Sequence, residues 1–261
     1  VVLTSQPTAD VTVGLSTSDA TEGTVSPSSV TFTSATWSTP QTVTVTGVDD
    51  SLDDGDIAFS IVTAAATSSD TNYNGVNPSD VSVTTTDNDI SGFTVSAISG
   101  NTTEAGGTAT LTVVLTSQPS ADVSLGMSSS DTTEGTVSPS SLTFTAGNWN
   151  TPQTVTVTGV DDSLDDGDVA FSIVTAAATS SDGTYTGLDA ADVSVTTTDN
   201  DASGITVTPT TGLTTTEAGG TATFTVVLTS EPTADVTVGL STSDATEGTV
   251  APSSVTFTSA N

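Results

Sequence analysis

The sequence predicts an all-β chain of tandem, seven-stranded antiparallel β-sandwiches, and three observations support that expectation. Long segments recur at the spacing of one small domain, apolar residues alternate with Thr and Ser through short runs, and no segment carries a capped 3.6-residue period. VVLTSQPTADVTV starts at Val1, VVLTSQPSADVSL at Val113 and VVLTSEPTADVTV at Val226, giving offsets of 112 and 113 residues. TPQTVTVTGVDDSLDDGD starts at Thr39 and again at Thr151, and TTTDND at Thr84 and Thr196. A unit of this size is a domain, because solenoid coils are several-fold shorter. The expected units are 1–89, lacking its first strand, 90–201, which is complete, and 202–261, holding the first four strands.

Within 90–201 the alternation places strands at 93–98, 108–116, 122–127, 141–145, 151–160, 169–176 and 192–198. Leu111, Val113, Leu115, Leu142, Phe144, Val155, Val157, Phe171, Ile173, Val193 and Val195 then face a core, and the intervening Thr face water. Gly, Pro, Ser and Asn fill the gaps. Seven short strands in about 110 residues read as an immunoglobulin-like sandwich. Trp37 and Trp149, in the loop before the fifth strand, are expected to plug the end of the core, and Tyr73 and Tyr185 to pack at a corner.

The chain has 31 Asp plus Glu, no Lys, Arg, His or Cys, and a formal charge of −31. Those absences remove triads, thiol and Schiff-base chemistry, and zinc sites built on N or S ligands. A carboxylate-pair glycosidase needs a sugar cleft, which a chain with only 4% aromatic residues does not suggest, so no enzyme is expected. A polyanion cannot neutralise phosphates, which argues against nucleic acid and anionic membranes as partners. No apolar run approaches the ~20 residues of a membrane span. Disorder is the other option for so acidic a chain, but strict Val/Thr alternation opposes it. Residue 1 is not Met and the chain begins within a repeat, so an excerpt from a longer periodic array is expected.

Strand direction gives the charge a location. In an antiparallel sandwich the loops 99–107, 128–140 and 161–168 and the tail after 198 gather at one pole. They bring Glu104, Asp131, Glu134, Asp161, Asp162, Asp165, Asp166, Asp168, Asp199 and Asp201 together. Ten carboxylates at the end of one small domain repel unless counterions intervene, since the screening length at physiological salt is ~8 Å. Calcium suits such a pole because it takes 6–8 oxygen ligands, whereas magnesium keeps its waters. An EF-hand does not account for the loop: counted from Asp50, Leu52 falls on a ligand position and Ile61 on that of the closing Glu. The opposite pole carries Asp122, Asp182 and Asp189, read as a hydrogen-bonding rim with the alternative of a site shared across the junction.

The TEAGG turn at 103–107, the doubled-acid loop after TVTVTGVDD, the closing DND and the run LTFTAGNWNTPQTVTVTGVDD (142–162) resemble the Calx-beta repeats. These occur in the sodium–calcium exchanger and in long arrays of bacterial surface proteins, and the resemblance spans 90–201 and both partial units. It implies a Calx-beta-type sandwich binding Ca2+ at the pole. The implied ligands are Asp161, Asp162, Asp165, Asp166 and Asp168 from the acidic loop, Asp199 and Asp201 from the terminal run, and Glu104. By the same offsets the roles fall on Asp49, Asp50, Asp53, Asp54, Asp56, Asp87, Asp89 and Glu217 in the flanking units. Asn200 departs from the family's all-acidic triplet, and the loop holding Asp131 and Glu134 does not match well.

The expected function is mechanical. A calcium-rigidified string of sandwiches would form an extracellular filament, sheath or adhesin stalk, its partners being neighbouring repeats and identical chains. A calcium sensor is the weaker alternative, since repetition supplies no downstream switch. The outward TVTVT threonines suit a twisted strand better than a flat ice-binding array, and Asn101-Thr102-Thr103 is a glycosylation sequon.

Overall fold

The computed structural model describes all 261 residues, and it is built of strands without helices. The first unit contains β1 (Val11–Thr17), β2 (Gly23–Ser26), β3 (Ser29–Phe32), β4 (Thr44–Gly47), β5 (Ile57–Thr63), β6 (Thr67–Ser68) and β7 (Val81–Thr85). The middle unit contains β8 (Phe93–Val95), β9 (Thr102–Thr103), β10 (Thr108–Leu115), β11 (Val123–Ser129), β12 (Gly135–Ser138), β13 (Ser141–Phe144), β14 (Gln153–Gly159), β15 (Val169–Thr175) and β16 (Val193–Thr198). Two hairpins follow, β17 (Ile205–Thr208) with β18 (Thr225–Leu228), and β19 (Val236–Gly239) with β20 (Ser254–Phe257).

The middle unit is an immunoglobulin-like sandwich of two sheets, ordered β12-β14-β10-β8 and β13-β11-β15-β16-β9. Every pairing is antiparallel except β9 with β16. The expected strand 93–98 is shorter than its alternation suggested. The regular pairing with β10 ends at Val95, the Ser96 and Ser99 amides still donate to the Thr112 and Thr110 carbonyls at 2.9 Å, and the chain then joins the other sheet as β9. A second run also changes sheet: β12 pairs with β14, and after Pro139 and Ser140 the same run pairs with β11 as β13. Each sandwich edge is thus closed by one segment shared between both sheets, which leaves little continuous unpaired backbone along the edges.

The core follows the period-2 pattern. Fifteen buried residues form it, including Leu111, Val113, Leu125, Phe144, Val155, Phe171, Ile173 and Tyr185. Of the residues expected inside, only Val193 is partly buried, packed against the edge. Some threonines depart from the expected water-facing role. Thr102, Thr175 and Thr197 are buried, because inward rows end in Thr near the poles. Their hydroxyls satisfy groups that Val would leave unpaired: Thr197 Oγ1 donates to the Glu134 carbonyl at 2.9 Å and Thr175 Oγ1 to the Ala190 carbonyl at 2.6 Å.

The pole opposite the acidic loops is tied by hydrogen bonds. Tyr185 is fully buried; its hydroxyl donates to the Ser117 carbonyl at 2.7 Å, and its ring stands edge-on to Phe93 at 6.1 Å. Trp149 packs against the core from its short loop. Asp182 is 6% exposed and accepts from the Ser120 amide at 2.7 Å and from the Thr184 amide and hydroxyl at 2.9 and 2.7 Å. Burial opposes its ionisation, but these bonds outweigh it and hold the carboxyl at about 2. In the first unit Asp70 accepts from the Thr8 and Asn72 amides, which lower its carboxyl.

Asp182→Ala is expected to destabilise the chain by about 1–3 kcal/mol in denaturant unfolding, because two backbone amides lose a charged acceptor. The native carboxyl titrates below its unfolded value of ~3.9, so its contribution is complete above that pH and is lost as pH falls towards 2. The variant's stability curve should therefore lack that part of the acid limb.

Candidate metal centre

The acidic pole is built by backbone features that carry carboxylates inward. Gly106 adopts φ +80 in the turn after β9, a conformation that strains residues with a Cβ. Gly159, at the end of β14, lies so close to Thr103 that a Cβ there would overlap the Thr103 backbone. The close approach sets Glu104, 2% exposed, beside the tail of β16. Its Oε2 accepts from the Asn200 amide at 3.0 Å, and its own amide donates to the Thr198 carbonyl at 3.2 Å. Glu104, Asp199 and Asp201 each bring a carboxylate oxygen within 4.8 Å of the others.

A second cluster joins Glu134, Asp162 and Asp166 within the same 4.8 Å limit. Glu134 precedes Gly135, where a Cβ would run into the Phe171 ring. Its carbonyl is fixed by the Val160 amide at 3.0 Å and by Thr197 Oγ1 at 2.9 Å. The residue is 5% exposed, and its carboxylate accepts no hydrogen bond but keeps its oxygens open to solvent. Burial, followed by the charges of Asp166, Asp131 and Asp162, pushes its carboxyl upward. The first unit repeats the arrangement with Glu22, Asp50 and Asp54 within 4.8 Å, Gly23 against Phe59, and the Glu22 carboxyl raised by burial and then Asp54. An open recess of ≈ 260 Å³ lies there, lined by Glu22, Asp49, Asp50, Asp54, Asp87 and Asp89 among others.

The remaining expected ligands divide by what their oxygens touch. Asp199 accepts from the Gly167 amide at 2.7 Å and the Asp201 amide at 2.6 Å, shaping the tail. Asp168 accepts from the Asp199 amide at 3.2 Å, and Asp56 from the Asp87 amide at 3.1 Å. Asp161 accepts from the Asn200 side chain at 2.9 Å, so the Asn that departs from the family triplet ties loop to tail. Asp53 and Asp165 point elsewhere: each accepts the amide of a linker residue, Ser91 and Ser203, at 2.7 Å. Glu217 is exposed and joins no cluster. Asp131 is held by the Thr133 hydroxyl and amide, which lower its carboxyl, and it stays outside the clusters.

Glu22 and Glu134 are the residues that the family-derived ligand set lacked. The signal available was TEGTVS in both units, with Gly directly after Glu. The reason for that Gly, an aromatic ring against its Cα, is visible only in three dimensions. The donor set is all oxygen, partly buried and anionic, and the chain has no Lys, Arg or His to neutralise it. It fits a hard divalent cation and no softer metal.

Fold and site together define a tandem antiparallel β-sandwich module with a carboxylate-rich pole. The Calx-beta domain model matches residues 1–89, 86–201 and 198–253, and the chain belongs to that family. Solved structures to which the chain is similar include CBD12 from CALX1.2, 16% identical over 70% of this chain and 74% of that one, at a TM-score of 0.31. Another is the calcium binding domain CBD12 of CALX1.1, 16% identical over 65% and 68%, at 0.34. Domains 4 and 5 of the S-layer protein SbsC match at 15% identity over 72% and 75%, at 0.30. No curated protein matches the chain.

Replacing Glu134 by Gln is expected to lower cation affinity about tenfold or more, a range that changes outside the ligand set already reach. In chelator the same change should raise the melting temperature, because it removes one of several crowded like charges. Isothermal titration and thermal melts check the two halves. The wild type in chelator should gain stability as pH falls from neutrality: the carboxyls of Glu104, Glu134 and Asp201 are raised by burial, so the folded state binds protons first. That gain should reverse at lower pH as the depressed carboxyls of Asp131 and Asp182 protonate.

Proposed function

We propose that the chain is an extracellular, calcium-rigidified string of Calx-beta sandwiches, serving as a stalk or filament segment and not as an enzyme. The observation that supports this most is the pair Glu22 and Glu134. Each is a largely buried residue whose carboxylate accepts no hydrogen bond and opens onto other carboxylates, in a chain with no cationic side chain. Glu104, Asp199 and Asp201, and separately Glu134, Asp162 and Asp166, would hold calcium in the middle unit, with Glu22, Asp50 and Asp54 in the first. Bound calcium would supply the positive charge the sequence lacks. Calcium sites that work outside cells reach as weak as about 10⁻⁴–10⁻³ M in Kd, the range expected of this pole.

The acidic loops lie where one unit meets the next, so charge neutralisation acts at the junctions. Within 90–201 the only large apolar side chain left exposed is Ile90, in the linker. A surface without an apolar patch favours a single string over lateral packing of chains. No helix is long and apolar enough to cross a membrane.

Small-angle scattering in millimolar calcium should show one extended particle, and chelator should broaden the distance distribution as the acidic poles repel. An identical profile in both conditions would refute calcium rigidification.

A further inference from the structure

We infer that the tripeptide Ser-Leu-Asp within each acidic loop is a two-point clamp on the next repeat, distinct from the cation-holding residues flanking it. The inference rests on the reading of the pole as a calcium site for its coupling, though not for its geometry. At the first junction the Gln118 amide donates to the Ser51 carbonyl at 2.7 Å, and the Ser91 amide donates to Asp53 Oδ2 at 2.7 Å. At the second, the Glu231 amide donates to the Ser163 carbonyl at 2.6 Å, and the Ser203 amide to Asp165 Oδ2 at 2.7 Å. Leu52 bridges Gln118, and Leu164 bridges Glu231, in the same parallel sense. The contact is therefore one interface used twice.

Both anchor points belong to the following repeat. Thr116 Oγ1 and Thr229 Oγ1 donate to the carbonyls of linker residues Ile90 and Ala202, each at 2.5 Å. The Thr116 and Thr229 amides donate to Gly92 and Gly204, both at 3.0 Å. Linker and receiving loop thus form one surface, and Ser-Leu-Asp grips it at two places. The side chain at the receiving position is free to differ, Gln118 at one junction and Glu231 at the other, because the bond is made by the backbone.

The residue before the tripeptide joins the clamp to the cation cluster. Asp50 and Asp162 each belong to a three-carboxylate cluster and also accept the Leu52 or Leu164 amide, at 2.8 and 2.7 Å. That bond closes the turn presenting Ser51 or Ser163 to the next repeat. Neutralising the cluster would therefore fix the orientation of the clamp.

The test uses the full chain with Asp53→Ala and Asp165→Ala together. Calcium affinity should fall by less than about fivefold, the effect of losing a neighbouring charge and not a ligand, while the scattering response to calcium is lost. Amide hydrogen exchange should show Ser91 and Ser203 protected in wild-type protein and unprotected in the variant. A second variant, Gln118→Pro with Glu231→Pro, deletes the other donors while leaving every loop carboxylate in place, and should also abolish the scattering response. A tenfold fall in calcium affinity in the Asp variant would make Asp53 and Asp165 ligands and overturn the clamp. Equal protection of Ser91 and Ser203 in variant and wild type would overturn it too. A wild type that binds calcium without any scattering response would instead sink the calcium-rigidified string, with amide exchange still deciding the clamp.

Discussion

Uncompensated negative charge at one end of each sandwich is the constraint on which the rest of the structure depends. Two like unit charges ~5 Å apart repel by roughly 1 kcal/mol in bulk water and ~3 kcal/mol at the effective dielectric near a protein surface. The clusters hold carboxylate oxygens within 4.8 Å of one another, and no side chain in the sequence can offset them. Local hydrogen bonding absorbs part of the charge. Asp131, Asp199 and Asp168 are occupied by amides and hydroxyls of their own pole. Glu22 and Glu134 have no such partner, so their charge must be met from outside the chain.

The hydrophobic core is what keeps those glutamates in place. Phe171 packs against the Cα of Gly135 on one side of the chain, and Thr197 and Val160 hold the Glu134 carbonyl on the other. The Glu134 backbone is thereby fixed by groups that continue into the sheets, not by a mobile loop. Glu104 is fixed differently, by the close passage of Gly159 past Thr103 and by the short parallel pairing of β9 with β16. A substitution at either glycine would move a carboxylate without touching it. Core and site are thus a single mechanical unit, which suits a module whose pole must survive strong repulsion.

The sheet interiors and the position of the acidic pole were legible in the sequence, because both depend on period-2 alternation and on strand direction. Leu111, Val155 and Phe171 fall inside for that reason alone. What alternation could not show was any feature shorter than its own window. β9 is two residues long and β12 four, so neither produces a periodic signal, and both segments change sheet. The buried threonines were hidden because Thr reads as outward in a Val/Thr run, while Thr197 continues the inward row of Val195. In the site, the DD-rich loop was visible but its internal division was not. Asp50, Asp53 and Asp54 are one residue type, and only geometry separates the two facing a cluster from the one facing the linker.

That division explains how an acidic loop can serve two demands that otherwise conflict. A cation cluster needs carboxylates converging on one point, whereas a junction needs donors and acceptors facing the neighbouring repeat. The loop meets both by alternating them along the chain: Asp162 and Asp166 turn back towards Glu134, while the Ser163 carbonyl and Asp165 turn outward to Glu231 and Ser203. In a tandem array the total stability approximates a sum of repeat and nearest-neighbour terms. A loop that carries the carboxylate cluster and the junction bonds places both terms under the same residues. Lengthening such an array then multiplies one junction instead of requiring new ones, and the 112–113-residue spacing of the sequence is the spacing of that junction.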